Sequence, residues 1–265
     1  MHVDKMWYTW PISEKFTATV GPLIENYYML AAAPSVYKPG ILKGFKLGGH
    51  GVAFGASTST GAGITYKGDN GFAVSSTFNS KKAGTTTGLF TDGDQNKINT
   101  QVAFTKDNYH LSATYSIQQG WNSWSYYSTS DLNAGTSATT ASADGVALRG
   151  WWRPDETGTA TPSVSVGYDT VSIEGTSVSE GSGYFVGLNW ADMFQPSDRI
   201  GLAVGQPMKA TSPSDEVDPL MWEAYYSFRP NDSIEVTPGI FGTTDVKNDS
   251  EDDLFCLQVS TTFKF

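Results

Sequence analysis

The side chains that could carry out covalent or metal chemistry are few and scattered along this 265-residue chain. The three histidines, His2, His50 and His110, lie far apart, and no HExxH, GxSxG or phosphate-loop pattern accompanies them. The single cysteine, Cys256, excludes a disulfide framework and a CxxC zinc or redox site. The sequence therefore offers no plausible nucleophile and base pair. We expect neither an enzyme nor a bound metal or cofactor.

One segment, residues 23–49, carries side chains suited to touching a solute rather than reacting with it. It is too apolar for a simple exposed loop, and it combines tyrosines with lysines. At the constriction of a channel, tyrosines would offer flat contact surfaces and lysines positive charge. The candidate constriction residues are Tyr27, Tyr28, Tyr37, Lys38, Lys43 and Lys46. The alternative is a helical cap, or a contact loop between subunits, that covers the mouth of a barrel.

A second set of candidates consists of charged residues on the polar faces of alternating segments. They are Arg149, Arg153, Arg199, Arg229, Glu223 and Glu235. Opposed arginines and glutamates across a lumen would create a transverse field that orients polar solutes. Arg153, Arg199 and Arg229 lie beside short turns, so for these we favour pairing with nearby acidic residues at the rim. Arg149 and Glu223 lie deeper in their segments and are the better candidates for lumen charges.

The elements that position these residues are β-strands, because apolar and polar residues alternate throughout the chain. In residues 109–117, for example, Tyr, Leu, Ala, Tyr and Ile alternate with His, Ser, Thr and Ser. We identify 13 such segments, of roughly 8–11 residues each. The weak alternation of residues 43–57 leaves open one further strand. The prediction is an all-β fold.

The composition excludes several classes of protein. Charged residues make up 17% of the chain, against about 25% in a typical soluble domain, whereas aromatic residues reach 13%. A net charge of −10 argues against nucleic acid as a partner. No window approaches 18 consecutive apolar residues, so no transmembrane helix is predicted. The first residues show no signal-peptide pattern.

The connections between the predicted strands favour a membrane protein. Short turns, such as residues 68–70 and 106–108, alternate with longer polar stretches, such as 79–97 and 119–143. This alternation is typical of a transmembrane antiparallel up-and-down β-barrel in the outer membrane. The inward Gly, Ser, Thr and Asn residues would line water rather than build a dry core. The alternatives are an outer-membrane adhesin or barrel enzyme, and a soluble carbohydrate-binding β-sandwich.

The number of strands predicts a partial barrel. The first segment, Met6–Trp10, runs into a short turn, so an ascending strand should precede it. Bacterial single-chain barrels have even strand numbers, and three further strands would give 16. We therefore interpret residues 1–265 as one outer-membrane β-barrel domain that is truncated at its N-terminus.

Acidic residues crowd the long polar stretches and would attract cations to the mouth of a channel. They include Asp92, Asp94, Asp215, Glu216, Asp218, Asp245, Asp249, Glu251, Asp252 and Asp253. The string Asp92-x-Asp94-x-Asn96 lacks the glycine and distal glutamate of an EF-hand loop, so a solvated surface is favoured over a metal site. The lysines of residues 23–49 could reverse this preference at the narrowest point.

The stretch 7–49 resembles a family of known proteins. FTATVGP (Phe16–Pro22) followed by the tyrosine-rich segment Asn26–Lys38 is similar to the cyanobacterial major outer-membrane porins, which are related to carbohydrate-selective and iron-uptake porins. GITYK, GFAVSSTF and the terminal TFKF also fit. The resemblance implies a 16-stranded homotrimeric porin in outer-membrane lipid, which passes sugars or inorganic ions by passive diffusion. The surface-layer-homology domain and coiled coil typical of the family are not found in this sequence.

Overall fold

The chain folds into a single antiparallel β-sheet in a computed structural model that describes residues 3–54, 58–89, 91, 93–120, 129, 132, 141–214, 217–245 and 253–264. The thirteen strands are β1 (Met6–Pro11), β2 (Phe16–Ile24), β3 (Ser59–Lys67), β4 (Phe72–Ser80), β5 (Asn96–Lys106), β6 (Tyr109–Gln119), β7 (Ser142–Trp152), β8 (Ser163–Glu174), β9 (Glu180–Ala191), β10 (Arg199–Ser212), β11 (Met221–Asn231), β12 (Ile234–Thr243) and β13 (Leu254–Phe263). The predicted count of strands is confirmed. Asp92, Asp215, Glu216, Asp249, Glu251 and Asp252 lie outside the described residues.

Every strand pairs antiparallel with its neighbour in sequence, in the order β1 to β13. The register is continuous over long stretches, as between β5 and β6, which pair from Asn96 with Gln119 to Lys106 with Tyr109. This up-and-down order is the one that a β-barrel requires. A β-sandwich would instead place apolar faces of two sheets against each other, so the single sheet argues against that alternative.

The two faces of the sheet are inverted relative to a soluble protein. In β6 the apolar residues Tyr109, Leu111 and Ile117 are exposed, whereas the polar residues between them are buried. Exposed and buried positions also alternate in most of β7, β8 and β9, where the exposed residues include Val146, Tyr168 and Val186. The end of β8 is an exception, because Val171 and Ile173 are buried and Ser172 is exposed. An apolar exposed face and a polar buried face suit contact with lipid outside and a polar interior.

Two expectations about the connections are corrected. The stretch 43–57 contains no strand in its described part; it forms a 3₁₀ turn at Lys43–Phe45 and a helical turn, α1, at Gly51–Phe54. Short and long connections also do not alternate strictly. The connection on the short-turn side at 153–162 is longer than that at 175–179 on the opposite side, because β8 and β9 extend into the predicted loop.

The first and last strands have an unpaired edge within the described residues. All six residues of β1 are exposed, on both faces of the strand. In β13 the exposed fraction of Leu257 reaches 76%, and residues of both faces are again accessible. In the part of the chain described, no helix is both long and apolar enough to cross a membrane.

Candidate channel constriction

The segment between β2 and β3 lies along the buried polar face of the sheet. The backbone of residues 31–42 is irregular and forms hydrogen bonds to strands progressively further along the sheet. The wall residues that bind it are Ser75 of β4, Gln101 of β5, Trp151 of β7, Ser165 of β8, Asn189 of β9 and Glu223 of β11. Backbone groups shielded from water need hydrogen-bond partners. The inward polar side chains supply them and so position an irregular segment inside the sheet.

Glu223 binds the far end of this segment with both carboxylate oxygens. Oε1 accepts hydrogen bonds from the Tyr37 hydroxyl at 2.7 Å and the Gly40 N–H at 3.2 Å. Oε2 accepts from the N–H groups of Ile41 at 3.0 Å and Leu42 at 2.7 Å. Burial and the adjacent carboxylate raise the pKa of Tyr37, so its phenol stays protonated and donates. Glu223 faces inward, as the alternation predicts, but it anchors the segment instead of facing a solute.

Arg149 holds residues 47–49, the end of the segment that leads into α1. Its guanidinium donates to the carbonyl oxygens of Leu47 at 3.0 Å and Gly49 at 2.6 Å. It also forms an ion pair with Asp169 of β8 at 2.8 Å, and the two side chains are only 0% and 3% exposed. Arg149 therefore also faces inward, but the segment covers it.

Apolar packing explains why residues 23–49 are too hydrophobic for an exposed loop. Tyr37 and Phe45 pack on Phe185 of β9, with ring centroids 5.3 and 5.4 Å apart. Ala203 of β10 and Tyr225 of β11 complete this cluster. A second cluster joins Ala53 and Phe54 of α1 to Ala147 of β7. The segment thus has its own small core against the inner wall, which fixes its position.

A cavity of about 590 Å³ adjoins the segment, and five of the six candidate constriction residues line it. Its full lining is Tyr27, Ser35, Tyr37, Lys38, Pro39, Lys43, Lys46, Leu47 and His50. The ammonium group of Lys46 lies 4.9 Å from the centre of the Tyr27 ring. Tyr28 does not line the cavity: its ring packs edge-on against Tyr27, with ring centroids 5.0 Å apart, and against Trp7 of β1, at 5.3 Å.

The remaining charged candidates lie near the short turns. Glu235 of β12 pairs with Arg199 at 3.4 Å and with Arg229 at 3.0 Å. Arg153 lies over the Trp151 ring at 5.6 Å, and it takes part in no ion pair among the described residues. The sequence favoured pairing of Arg153, Arg199 and Arg229 with acidic residues at the rim. The structure shows such pairs for Arg199 and Arg229.

Several residues that build the site were not singled out from the sequence. Asn189 and Ser165 face inward and accept hydrogen bonds from the backbone of the segment. Asp169 also faces inward and pairs with Arg149. Tyr225 donates to the Lys38 carbonyl oxygen. The alternation of β8 and β9 could have placed these side chains on the inner face. Nothing in the local sequence indicates which part of residues 23–49 each would bind.

His50, which directly follows the segment, is a titratable group whose charge depends on the packing of this part of the chain. Burial lowers its pKa to about 4, and the nearby cations Lys46, Lys97 and Arg149 act in the same direction, against Glu25. The packed segment therefore holds His50 neutral, whereas a released segment would bind a proton near pH 6.5. As the pH falls from 6.5 towards 4, the packed arrangement should lose stability, by about 3 kcal/mol at the lower end.

We expect the loss of stability of the packed arrangement, as His50 binds a proton, to appear as a change in channel conductance between pH 7 and pH 4. Replacing His50 with glutamine removes the titrating group and should flatten the profile in this range. A profile that is the same in His50→Gln and in the unmodified chain would show that other groups cause the pH dependence.

The arrangement defines a class of protein. One antiparallel sheet with an apolar outer face, a polar inner face and a segment packed against that inner face is the architecture of an outer-membrane porin. The family described as carbohydrate-selective porin, OprB family, matches residues 1–265, and the chain belongs to this family. It is an outer-membrane channel for small solutes.

Solved porin structures share this fold at low sequence identity. OprB of Pseudomonas putida, at high pH, has a TM-score of 0.65 and 13% identity, and the match covers 98% of this chain and 72% of that one. A porin of Comamonas acidovorans described as anion-selective has a TM-score of 0.61 and 9% identity over 97% and 87% of the two chains. OmpT of Vibrio cholerae has a TM-score of 0.58 and 9% identity over 98% and 79%. No curated protein sequence matches the chain significantly.

Proposed function

We propose that residues 23–49 form the constriction of the channel, and that solutes cross it by passive diffusion without any reaction. The observation that supports a constriction is the path of the segment along the inner wall, from Ser75 of β4 to Glu223 of β11. A cavity of about 590 Å³ lies beside it. A cap over the mouth would contact loops and strand ends. This segment instead binds buried side chains within the strands, such as Arg149.

The proposed solutes are small sugars and inorganic ions. The description of the family supports sugars. The similarity of residues 7–49 to cyanobacterial porins supports inorganic ions, including iron, and a cyanobacterial source. The proposed assembly is a homotrimer in outer-membrane lipid, which the exposed apolar face would contact. One structural relative, OmpT of Vibrio cholerae, is described in a trimer form, which is compatible with this assembly.

We also propose that residues 1–265 are one domain of a larger closed barrel. Because thirteen antiparallel strands alternate in direction, β1 and β13 run the same way, and closing the sheet between them would need a parallel pair. An odd number of further strands would allow antiparallel closure, and three would give the even number 16. The exposed inner and outer faces of both edge strands support this proposal.

Planar-bilayer recording tests passive diffusion through the chain and completion of the barrel by further strands. Detergent-refolded chain should give discrete current steps if it closes into a pore, and so should a version extended by the sequence encoded upstream. Steps from the extended version alone would support completion by further strands. If neither version gives steps, the proposal that solutes cross by passive diffusion is wrong.

A further inference from the structure

The cavity beside residues 23–49 is lined by cations and lacks carboxylates. Lys38, Lys43 and Lys46 contribute to its wall, and the other lining residues are neutral or apolar apart from His50. None of the ion pairs formed among the described residues involves these three lysines. Because its low pKa keeps His50 neutral at pH 7, the lysines set the charge of this cavity.

Three acidic side chains near the segment, among the described residues, bind partners of their own and do not line the cavity. Glu223 accepts hydrogen bonds from three backbone N–H groups and Tyr37, and Asp169 is paired with Arg149. Glu25 accepts from the Thr58 hydroxyl at 2.6 Å and lies 3.5 Å from the ammonium group of Lys5. These carboxylates stabilise the segment, and none of the three lines the cavity.

A second cavity, of about 370 Å³, lies at the short-turn end of the sheet. Ser35 and Lys38 line both cavities, so both border this part of the segment. Arg153 and Arg199 also line the second cavity, together with one carboxylate, Glu156. Cations therefore outnumber carboxylates in the lining of both cavities, although Arg199 is paired with Glu235, and Lys38 is the cation that the two linings share.

We propose that the two cavities form a continuous path that selects small anionic solutes, such as inorganic anions and carboxylated or phosphorylated sugars, with Lys38 as the shared selectivity residue. This proposal rests on the proposed constriction. Fixed charge has its greatest effect where the water layer is thin and the walls are of low polarity. Salt screens the field of a charge beyond about 10 Å at 0.1 M ionic strength, so the charges that line the path outweigh those that lie further away.

The test is the reversal potential of single channels in a potassium chloride gradient, recorded on the same chain that gives current steps. The unmodified channel should pass chloride in preference to potassium. Lys38→Gln, and separately the double variant Lys43→Gln with Lys46→Gln, should each lower the chloride-to-potassium permeability ratio, by about fivefold for each lysine removed. Lys106→Gln is the matched control, because this exposed lysine at the end of β5 lines neither cavity.

The outcomes separate this proposal from the function on which it rests. Current steps with a potassium-selective reversal potential would overturn anion selection while leaving the channel in place. Equal shifts in the Lys38→Gln and Lys106→Gln variants would assign the selectivity to overall charge and not to the path. A complete absence of steps would count against the channel itself.

Discussion

Replacing Glu223 with glutamine is expected to release residues 37–42 from the wall and widen the channel. The carboxylate accepts four hydrogen bonds, three of them from backbone N–H groups. Glutamine keeps one acceptor oxygen and turns an NH₂ group towards those donors, so at least two charge-assisted bonds are lost. Such bonds contribute about 1.5–3 kcal/mol each, and buried N–H groups without a partner add a further cost. The expected destabilisation of the packed segment is about 3–5 kcal/mol.

Single-channel conductance and liposome swelling with sugars of increasing size measure this effect. Glu223→Gln should raise the conductance and admit larger sugars. Glu235→Gln is the matched control: its carboxylate pairs with two arginines at the partly exposed rim, where such pairs contribute at most about 1 kcal/mol. A folded Glu223→Gln channel with unchanged conductance and size limit would show that the segment does not restrict the pore.

The sheet could be predicted from the sequence because its pattern is local. A strand with one face towards lipid and one towards a polar interior must alternate residue by residue, and residues 109–117 do so without a break. The number of strands and their order follow from these segments and from the tendency of consecutive strands to pair. The boundaries at 153–162 and 175–179 were less predictable, because strands extend beyond the apolar band where alternation weakens.

The constriction was only partly predictable, since its position depends on contacts between residues distant in sequence. Composition marked residues 23–49 as unusual and singled out the tyrosines and lysines. It could not show that Glu223 lies against the backbone of Ile41 and Leu42, 182 and 181 residues away. The role of Gly167 was equally hidden: a Cβ there would clash with the carbonyl oxygen of Gly48. Glu223 and Arg149, two inward charges that the sequence offered as lumen charges, therefore bind the backbone of the segment.

The second large effect is expected from replacing Arg149 with methionine. This change leaves Asp169 buried without its cation, and it also removes the donors to the carbonyl oxygens of Leu47 and Gly49. Removing one partner of a buried ion pair typically costs about 3–5 kcal/mol. Both parts of the change weaken the hold on residues 47–51. Heat-dependent gel mobility should show a lower transition temperature, and trypsin should cleave after Lys46 more rapidly.

A double-mutant cycle separates the ion pair from the backbone contacts. Asp169→Leu combined with Arg149→Met removes the unpaired carboxylate, so the transition temperature should recover part of the loss. Cleavage after Lys46 should stay rapid in the double variant, because the carbonyl oxygens of Leu47 and Gly49 still lack their donor. Arg229→Met is the control for loss of an arginine at the rim and should change neither measurement appreciably. If Arg149→Met behaves like Arg229→Met, the buried pair does not hold the segment, and its position must depend on Glu223 and the Phe45 cluster.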